Sequence, residues 1–213
     1  MNKLLIINKP VGITSMDVIR VVRKKYNIKK VGHAGTLDPL ASGILIVCTG
    51  KETKNIQKFM DLEKEYLAEI NLTAFSDTDD AQGNLTQIQT HKVPELSEIE
   101  NALQQFIGEI DQVPPKYSAI KMNGQPAYKR VRNGEIIEMK SRKVSIKEIK
   151  LLNYEWPFLT INVTCQKGTY IRSLARDIGI KLNTGGHLKN LIRTRIGNFK
   201  ITDADIYEIS SLA

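Results

Sequence analysis

One segment, residues 32–43, constrains this chain more than any other feature. It reads Gly-His-Ala-Gly-Thr-Leu-Asp-Pro-Leu-Ala-Ser-Gly and lies between a helical pattern and the apolar run 44–48. Its glycines permit positive φ angles and close backbone approach, and Pro39 biases Asp38 away from helical conformation. The pattern therefore predicts a shaped loop that presents Asp38, followed by a buried strand. Composition by itself favours a second interpretation, in which Asp38 only bonds its own backbone in an Asx turn.

The composition is that of a globular protein. With 213 residues and 41% hydrophobic content, the chain can bury a real core, as one domain of generous size or two small ones. No segment resembles a signal peptide or an apolar run of membrane-spanning length, so a cytoplasmic location away from membranes is expected. Cys48 and Cys165 each end an apolar run, which predicts buried free thiols rather than a disulfide or a metal site.

The net charge of +8 is unevenly distributed along the chain. Residues 66–115 carry 1 basic and 9 acidic side chains, whereas residues 116–150 carry 10 and 3 and residues 167–200 carry 8 and 1. Two basic stretches with interleaved aromatic residues favour a polyanionic partner, nucleic acid above all. The acidic stretch 76–83 lacks the spacing of a calcium loop, so no metal is expected there.

Hydrophobic periodicity predicts both strands and helices. The expected strands are residues 3–8, 44–48, 64–75, 144–152 and 159–166, and the expected helices are 14–26, 97–107, 126–134 and 170–183, before a last strand and a short helix. Thr14-x-x-Asp17 and Ser97-x-x-Glu100 are capping-box patterns at two helix starts. In the second of these helices the inward positions are expected at Ile99, Leu103, Phe106 and Ile107, with Gly108 as the C-cap.

These pieces resemble a known set, the TruB-type tRNA pseudouridine synthases that isomerise uridine 55 in the TΨC arm. Residues 32–43 resemble the family's signature loop in full. Further matches follow in the family's order, at Asn8-Lys9-Pro10, Lys64-Glu65-Tyr66, residues 112–119, residues 167–172 and residues 186–194. The resemblance covers essentially the whole chain and replaces the Asx-turn interpretation with a catalytic one.

The resemblance implies that Asp38 is the nucleophile that attacks the uridine, at either the sugar or the base. An aspartate of ordinary pKa, about 3.9, is ionised at neutral pH and needs no activating base. Arg172 resembles the arginine that pairs with this aspartate. Tyr66 resembles the tyrosine that stacks on the flipped uracil and helps remove the proton from C5. The implied substrate-binding residues are His33 in the space left by the extruded nucleotide, Tyr170 and Leu191 as pocket walls, and Lys9.

The resemblance also implies an α+β fold with a mixed, largely antiparallel central sheet flanked by helices. Residues 1–213 would form a single catalytic domain, with residues 116–143 as a basic insertion, often called the thumb, that grips RNA phosphates. A separate C-terminal RNA-binding domain is expected to be missing. The expected enzyme is an isomerase without cofactor, a monomer that acts on the T-arm of tRNA without an obligatory protein partner. Two other functions fit the basic stretches, namely an RNA-binding protein that helps tRNA fold and the catalytic subunit of a guide-RNA particle.

Overall fold

The structure, a computed structural model, describes residues 2–202 and 206–208 of the chain. The helices are α1 (Ser15–Tyr26), α2 (Ile56–Asp61), α3 (Leu96–Gln104), α4 (Ala127–Arg132) and α5 (Ile171–Lys181), with a 3₁₀ helix at Gly50–Asn55. The strands are β1 (Leu4–Lys9), β2 (Val31–His33), β3 (Ser42–Thr49), β4 (Lys64–Asn71), β5 (Ala74–Ser76), β6 (Leu85–Gln87), β7 (Gly108–Gln112), β8 (Lys121–Met122), β9 (Gln125–Pro126), β10 (Arg142–Glu155), β11 (Phe158–Cys165), β12 (His187–Ile196), β13 (Phe199–Lys200) and β14 (Ile206–Glu208). The short helix expected after the last strand lies outside the described residues.

The chain divides into two compact units. Unit 1 consists of residues 1–67, 162–167 and 190–213, and unit 2 consists of residues 68–161 and 168–189. The single catalytic domain over residues 1–213 stays a prediction. Within the described residues, no helix has the length and apolar character needed to cross a membrane.

The sheet of unit 1 is mixed. Strands β1 and β3 pair antiparallel, with Leu5 opposite Val47, while β12 lies parallel to β3 with Arg193 opposite Gly43. Strand β14 pairs in parallel with β1, and β2 pairs antiparallel with β3. The predicted class, an α+β fold with a mixed and largely antiparallel sheet flanked by helices, is confirmed.

Apolar residues cover both faces of β1 and β3. On one face, Val18, Ile19 and Val22 of α1 pack with Leu5, Ile7, Leu45 and Val47. On the other face, Ile6, Ile44, Ile46 and Cys48 pack with partly buried Phe59 and Phe199. Because both faces are buried, residues 44–48 form an unbroken apolar run rather than an alternating one. The free thiols of Cys48 and Cys165 are buried, as predicted.

Helix α1 begins where its local sequence predicts. The Thr14 hydroxyl accepts a hydrogen bond from the Asp17 N–H at 3.1 Å, and the Asp17 carboxylate accepts one from the Thr14 N–H at 2.9 Å. This reciprocal pair is the predicted capping box. The first residue of this helix, Ser15, forms hydrogen bonds to the backbone of Leu37 in the segment 32–43.

Helix α3 of unit 2 corrects one prediction. Its capping box is formed by Glu95 and Glu98 rather than by Ser97 and Glu100, so the helix starts at Leu96. The Glu98 carboxylate accepts the Glu95 N–H at 2.7 Å, because a glutamate side chain is long enough to reach back one turn.

The end of α3 differs from the prediction as well. The helix ends at Gln104, so Ile107 lies past its end and is exposed instead of facing inward. Gly108, at φ +101°, opens β7 instead of capping the helix. The end differs because the apolar spacing that predicted it continues beyond the last helical turn.

The predicted strand over residues 64–75 is interrupted. Its buried positions Ala68, Ile70 and Leu72 share one face, as the period of two predicts. The Asn71 side-chain oxygen accepts hydrogen bonds from the Thr73 N–H at 2.9 Å and from its hydroxyl at 2.8 Å. This Asx turn separates β4 from β5.

The basic insertion of unit 2 has its own small core. Strands β8 and β9 form a hairpin, and α4 follows within the predicted helix 126–134. Buried Ala127, Ile137 and Met139 pack together with Ile120, Met122 and Val131. The insertion is therefore an ordered element that can present its charged side chains from a fixed support.

Candidate active site

The Asp38 loop of unit 1 connects β2 to β3, and its backbone is held from several sides. The buried Ser15 hydroxyl accepts a hydrogen bond from the Leu37 N–H at 2.9 Å and donates one to the Leu37 carbonyl at 3.0 Å. The Gly12 N–H donates to the Pro39 carbonyl at 2.8 Å, and the Ala41 N–H donates to the Asp38 carbonyl at 3.0 Å. Asp38 is half-buried at the first position of this turn, with Pro39 at the second, where its fixed φ suits a β-turn. The loop is therefore a defined backbone structure that presents one carboxylate.

A buried arginine lies at the base of this loop. The Arg193 side chain donates from Nε to the Ile44 carbonyl at 2.7 Å. Its two terminal nitrogens donate to the carbonyls of Thr36 and Gly35, each at 3.3 Å. Arg193 is 2% exposed. Arg193 lies within the motif at residues 186–194, but its role was not predicted, because the loop carbonyls that it contacts are far away in the sequence.

Lys9 lies in the same electrostatic neighbourhood as Asp38. Its ammonium group donates to the carbonyls of Pro10 at 2.8 Å and Ile13 at 2.9 Å. Burial lowers the pKa of Lys9 to about 8; the Asp38 carboxylate opposes this shift and the Arg193 cation adds to it. The predicted substrate-binding residue Lys9 thus lies close enough to Asp38 for the two charges to interact.

Tyr66 and His33 also belong to unit 1 and both interact with Arg193. Burial raises the pKa of the Tyr66 phenol, while Arg193 opposes the shift by its charge and by a side-chain hydrogen bond. Burial lowers the pKa of His33, and Arg193 lowers it further. In the described part of the chain, the buried Nδ1 of His33 has no hydrogen-bond partner. Burial and the Arg193 charge thus lower the pKa of His33, while a hydrogen bond to the Gly35 backbone opposes them.

Leu191 completes the predicted residues of unit 1. It is buried on β12, two residues before Arg193, and residues two apart in a strand share a face. Five predicted site residues therefore belong to one unit, namely Lys9, His33, Asp38, Tyr66 and Leu191.

Tyr170 and Arg172 lie in unit 2 at the start of α5. The Tyr170 backbone is held at both polar atoms by the buried Gln112 side chain, which accepts from the Tyr170 N–H at 2.8 Å and donates to its carbonyl at 3.1 Å. Buried Arg172 donates to the carbonyls of Thr78 at 3.0 Å and Tyr117 at 3.1 Å. No role was predicted for Gln112, whose single side-chain amide pairs through its oxygen and its nitrogen with the two polar backbone atoms of Tyr170.

Arg172 also has an acidic neighbour within its own unit. Its guanidinium lies 3.5 Å from the Asp80 carboxylate, and that carboxylate accepts from the Thr78 hydroxyl at 2.7 Å. The acidic stretch 76–83, which the sequence analysis considered only as a metal loop, therefore supplies partners to an arginine. The pairing of Arg172 with Asp38 stays a prediction.

A second ion pair joins α5 to the acidic stretch 76–83. Arg176, one turn after Arg172 on α5, lies 2.8 Å from the Asp79 carboxylate and donates to the Val113 carbonyl at 2.9 Å. Asp79 adopts a positive φ of +61°, and burial raises its pKa to about 6. The two arginines, four residues apart on α5, share a helix face, and this face is directed at residues 78–80 and 113–117.

Comparison with known proteins identifies the family. A model described as TruB family pseudouridylate synthase, N-terminal domain, matches residues 23–171. The chain belongs to this family. A second model, described as the tRNA pseudouridylate synthase B C-terminal domain, matches residues 172–213.

Full-length relatives agree with the TruB assignment. The chain is 46% identical over 206 residues to tRNA pseudouridine synthase B of Francisella tularensis, and the match covers 96% of this chain and 68% of the relative. It is 47% identical over 204 residues to the protein of the same name from Clostridium kluyveri, of which the match covers 70%.

Single chains in two solved complexes are also similar to this chain. A chain in a Cbf5-Nop10-Gar1 complex matches with a TM-score of 0.76 and 32% identity over 97% of this chain. A chain of an H/ACA RNP bound to a substrate RNA containing 2'-deoxyuridine matches with a TM-score of 0.72 and 30% identity. The present chain spans about half the length of these two matched chains, 52% and 51%.

Proposed function

We propose that this TruB-family chain is a tRNA pseudouridine synthase that isomerises uridine 55 of the TΨC arm, with Asp38 as its nucleophile. The observation that carries the proposal is the Asp38 loop, whose backbone is fixed by Ser15, Gly12 and Arg193. A loop fixed in this way can hold a carboxylate at a reacting atom without further ordering.

The proposed reaction needs no external reactant. The Asp38 carboxylate attacks the uridine and forms a bond to it, and the bond between the sugar and N1 breaks. The uracil then turns and forms a bond to the sugar through C5, and the bond between Asp38 and the substrate breaks, which restores the carboxylate. The proton leaves C5 and N1 regains one, so the product is an isomer of the substrate. A uridine within a stem-loop must leave its stack before any side chain can reach the glycosidic bond.

The surrounding residues have proposed roles that follow their environments. The Tyr66 ring stacks on the flipped uracil, and its phenol takes part in removal of the C5 proton; burial raises the pKa of this phenol and Arg193 opposes the rise. His33, whose buried Nδ1 has no hydrogen-bond partner in the described part of the chain, enters the space left by the extruded nucleotide. Tyr170 and Leu191 form pocket walls.

Two cations complete the proposed site. Arg172 pairs with the Asp38 carboxylate and orients it, and an arginine suits this role because its planar guanidinium can hold a carboxylate through two parallel hydrogen bonds. Lys9 adds a second positive group near Asp38, whose carboxylate already acts on the Lys9 pKa.

The insertion 116–143 is the proposed grip on RNA phosphates. Its exposed cations include Lys116, Lys121, Lys129, Arg132 and Lys140. A surface cavity of about 530 Å³ is lined by Tyr128, Lys129 and Arg132 among others, and the Arg132 guanidinium lies 5.6 Å from the Tyr128 ring centroid. Cations and aromatic faces together are typical of surfaces that hold RNA strands.

The test of this function uses the purified chain and an unmodified tRNA transcript. Pseudouridine is mapped by carbodiimide treatment and primer extension. We expect a stop at uridine 55 that disappears in Asp38→Asn and persists in the matched control Asp61→Asn. Asp61 is an aspartate of the same unit that pairs with Lys167 at 2.7 Å.

The same assay separates the alternatives. Refolding of tRNA without any stop would indicate an RNA-folding protein instead. Modification only after addition of a guide RNA would favour a role like that of the H/ACA chains. Activity of the purified chain alone would support an enzyme without an obligatory protein partner. A molar mass of one chain in light scattering would support a monomer. We propose that this enzyme is located in the cytoplasm.

A further inference from the structure

We propose that Arg193 is a positioning residue of the synthase: its guanidinium ties together the two ends of the Asp38 loop and orients the phenol of Tyr66. This assignment rests on the function proposed above. It adds a residue on β12 to the nucleophile loop and gives a physical reason for the loop's fixed shape.

The contacts of Arg193 bracket the nucleophile in sequence. Gly35 and Thr36 precede Asp38, whereas Ile44 follows it, and the carbonyls of all three accept hydrogen bonds from one side chain. A single guanidinium therefore bridges the segment entering the loop and the segment leaving it. Its planar arrangement of N–H groups can serve three acceptors at once, which a lysine ammonium on a flexible stem cannot reproduce in the same geometry.

The backbone of Arg193 is as close to the loop as its side chain. Arg193 and Gly43 are partners in the parallel ladder of β12 and β3. A Cβ added to Gly43 would lie 2.3 Å from the Arg193 carbonyl oxygen, closer than any real contact. The position of β12 against the loop is thus set by backbone contact, so the side chain enters from a fixed point.

Arg193 is also the cation that several site residues share. Its charge lowers the pKa values of Lys9 and His33, and it opposes the rise in the pKa of the Tyr66 phenol. A buried cation needs polar partners that satisfy its N–H groups, and here those partners are the loop carbonyls and the phenol. Removing it would take away one donor from each of the three loop carbonyls.

The competing explanation is that Arg193 only stabilises the fold. Arg195 provides the matched control, because it lies two residues along the same strand and is also largely buried. Its guanidinium pairs with Glu63 at 2.8 Å and Glu65 at 3.3 Å and donates to the Gly197 carbonyl at 3.0 Å. None of these partners belongs to the Asp38 loop.

The experiment compares Arg193→Gln, Arg193→Lys and Arg195→Gln with the unmodified chain. Single-turnover pseudouridine formation at saturating enzyme is measured on a T-arm hairpin RNA, with RNA binding and thermal unfolding measured in parallel. We expect Arg193→Gln to lower the single-turnover rate about 100-fold, the scale of a misplaced reacting group, with the RNA dissociation constant changed less than about threefold. Arg193→Lys should recover only part of the rate, and Arg195→Gln should stay within about twofold of the unmodified chain.

A second measurement is independent of catalysis. Amide hydrogen exchange followed by mass spectrometry should show faster exchange of residues 34–43 in both Arg193 variants and not in Arg195→Gln. An unmodified chain without synthase activity would reject the proposed function, whereas the exchange result would still test the contact between Arg193 and the loop. Equal rate losses in Arg193→Gln and Arg195→Gln, or unchanged loop exchange in Arg193→Gln, would overturn the positioning role.

Discussion

Substituting Gly43 by alanine tests the close approach of the Asp38 loop to β12. Gly43 has a φ of +105° and faces the Arg193 backbone, so an alanine there meets two separate obstacles. Gly12 offers a matched control, because its φ is +93° and a Cβ built on it meets nothing within 4 Å. Gly12→Ala therefore has the strained backbone without the clash.

The expected magnitudes follow from these two terms. A non-glycine residue in a rarely adopted positive-φ conformation costs about 1–3 kcal/mol, and this cost applies to both variants. In Gly43→Ala the new methyl group would lie 2.3 Å from the Arg193 carbonyl oxygen. Because that atom belongs to the backbone, β3 and β12 must separate, which adds a further overpacking cost of about 1–3 kcal/mol.

The assay is urea unfolding followed by far-ultraviolet circular dichroism, with amide exchange of β3 and β12 measured in the same variants. We expect Gly43→Ala to be the less stable variant by about 1–3 kcal/mol, with faster exchange in both strands and lower pseudouridine formation. If Gly43→Ala were as stable as Gly12→Ala, the inferred contact between the loop and β12 would be wrong.

Three further predictions concern single side chains. The pKa of Lys9 is about 8 in the folded chain and 10.5 when unperturbed, so between these pH values the folded state binds fewer protons than the unfolded state. In urea titrations, the free energy of unfolding of the unmodified chain should therefore rise by about 2–3 kcal/mol relative to that of Lys9→Met from pH 7 to pH 10.5. A difference between the two proteins that does not change with pH would refute this. Ser15→Ala removes the hydroxyl that pairs with the backbone N–H and carbonyl of Leu37. It should lower the free energy of unfolding by about 1–3 kcal/mol and slow pseudouridine formation, which urea unfolding and single-turnover assays measure. Burial raises the Cys48 pKa to about 11, so Ellman's reagent at pH 8 should react with it only after urea unfolding, and rapid labelling of folded protein would contradict its burial.

Local sequence determined much of the fold. The capping box at Thr14 and Asp17 needs only neighbouring residues, and so α1 starts where it was predicted. The unbroken apolar run 44–48 and the alternating positions of β4 likewise identify strands from local pattern. The predicted start of α3 was wrong because two overlapping pairs of side chains, Ser97 with Glu100 and Glu95 with Glu98, can each form a capping box. Only the backbone geometry selects Glu95 as the N-cap.

For the candidate site, sequence resemblance singled out Asp38, and the loop motif itself predicted a shaped turn around it. Tertiary structure alone revealed that Ser15, Arg193 and Gln112 hold the predicted residues, because hydrogen bonds between residues such as Arg193 and Gly35 join positions 158 apart in the sequence. A sequence pattern records side-chain identity and spacing, while the partner of a buried carbonyl is set by strand register and by which elements pack together. The proposed nucleophile is therefore identified from the sequence, and the contacts that hold it in place are decided by the fold.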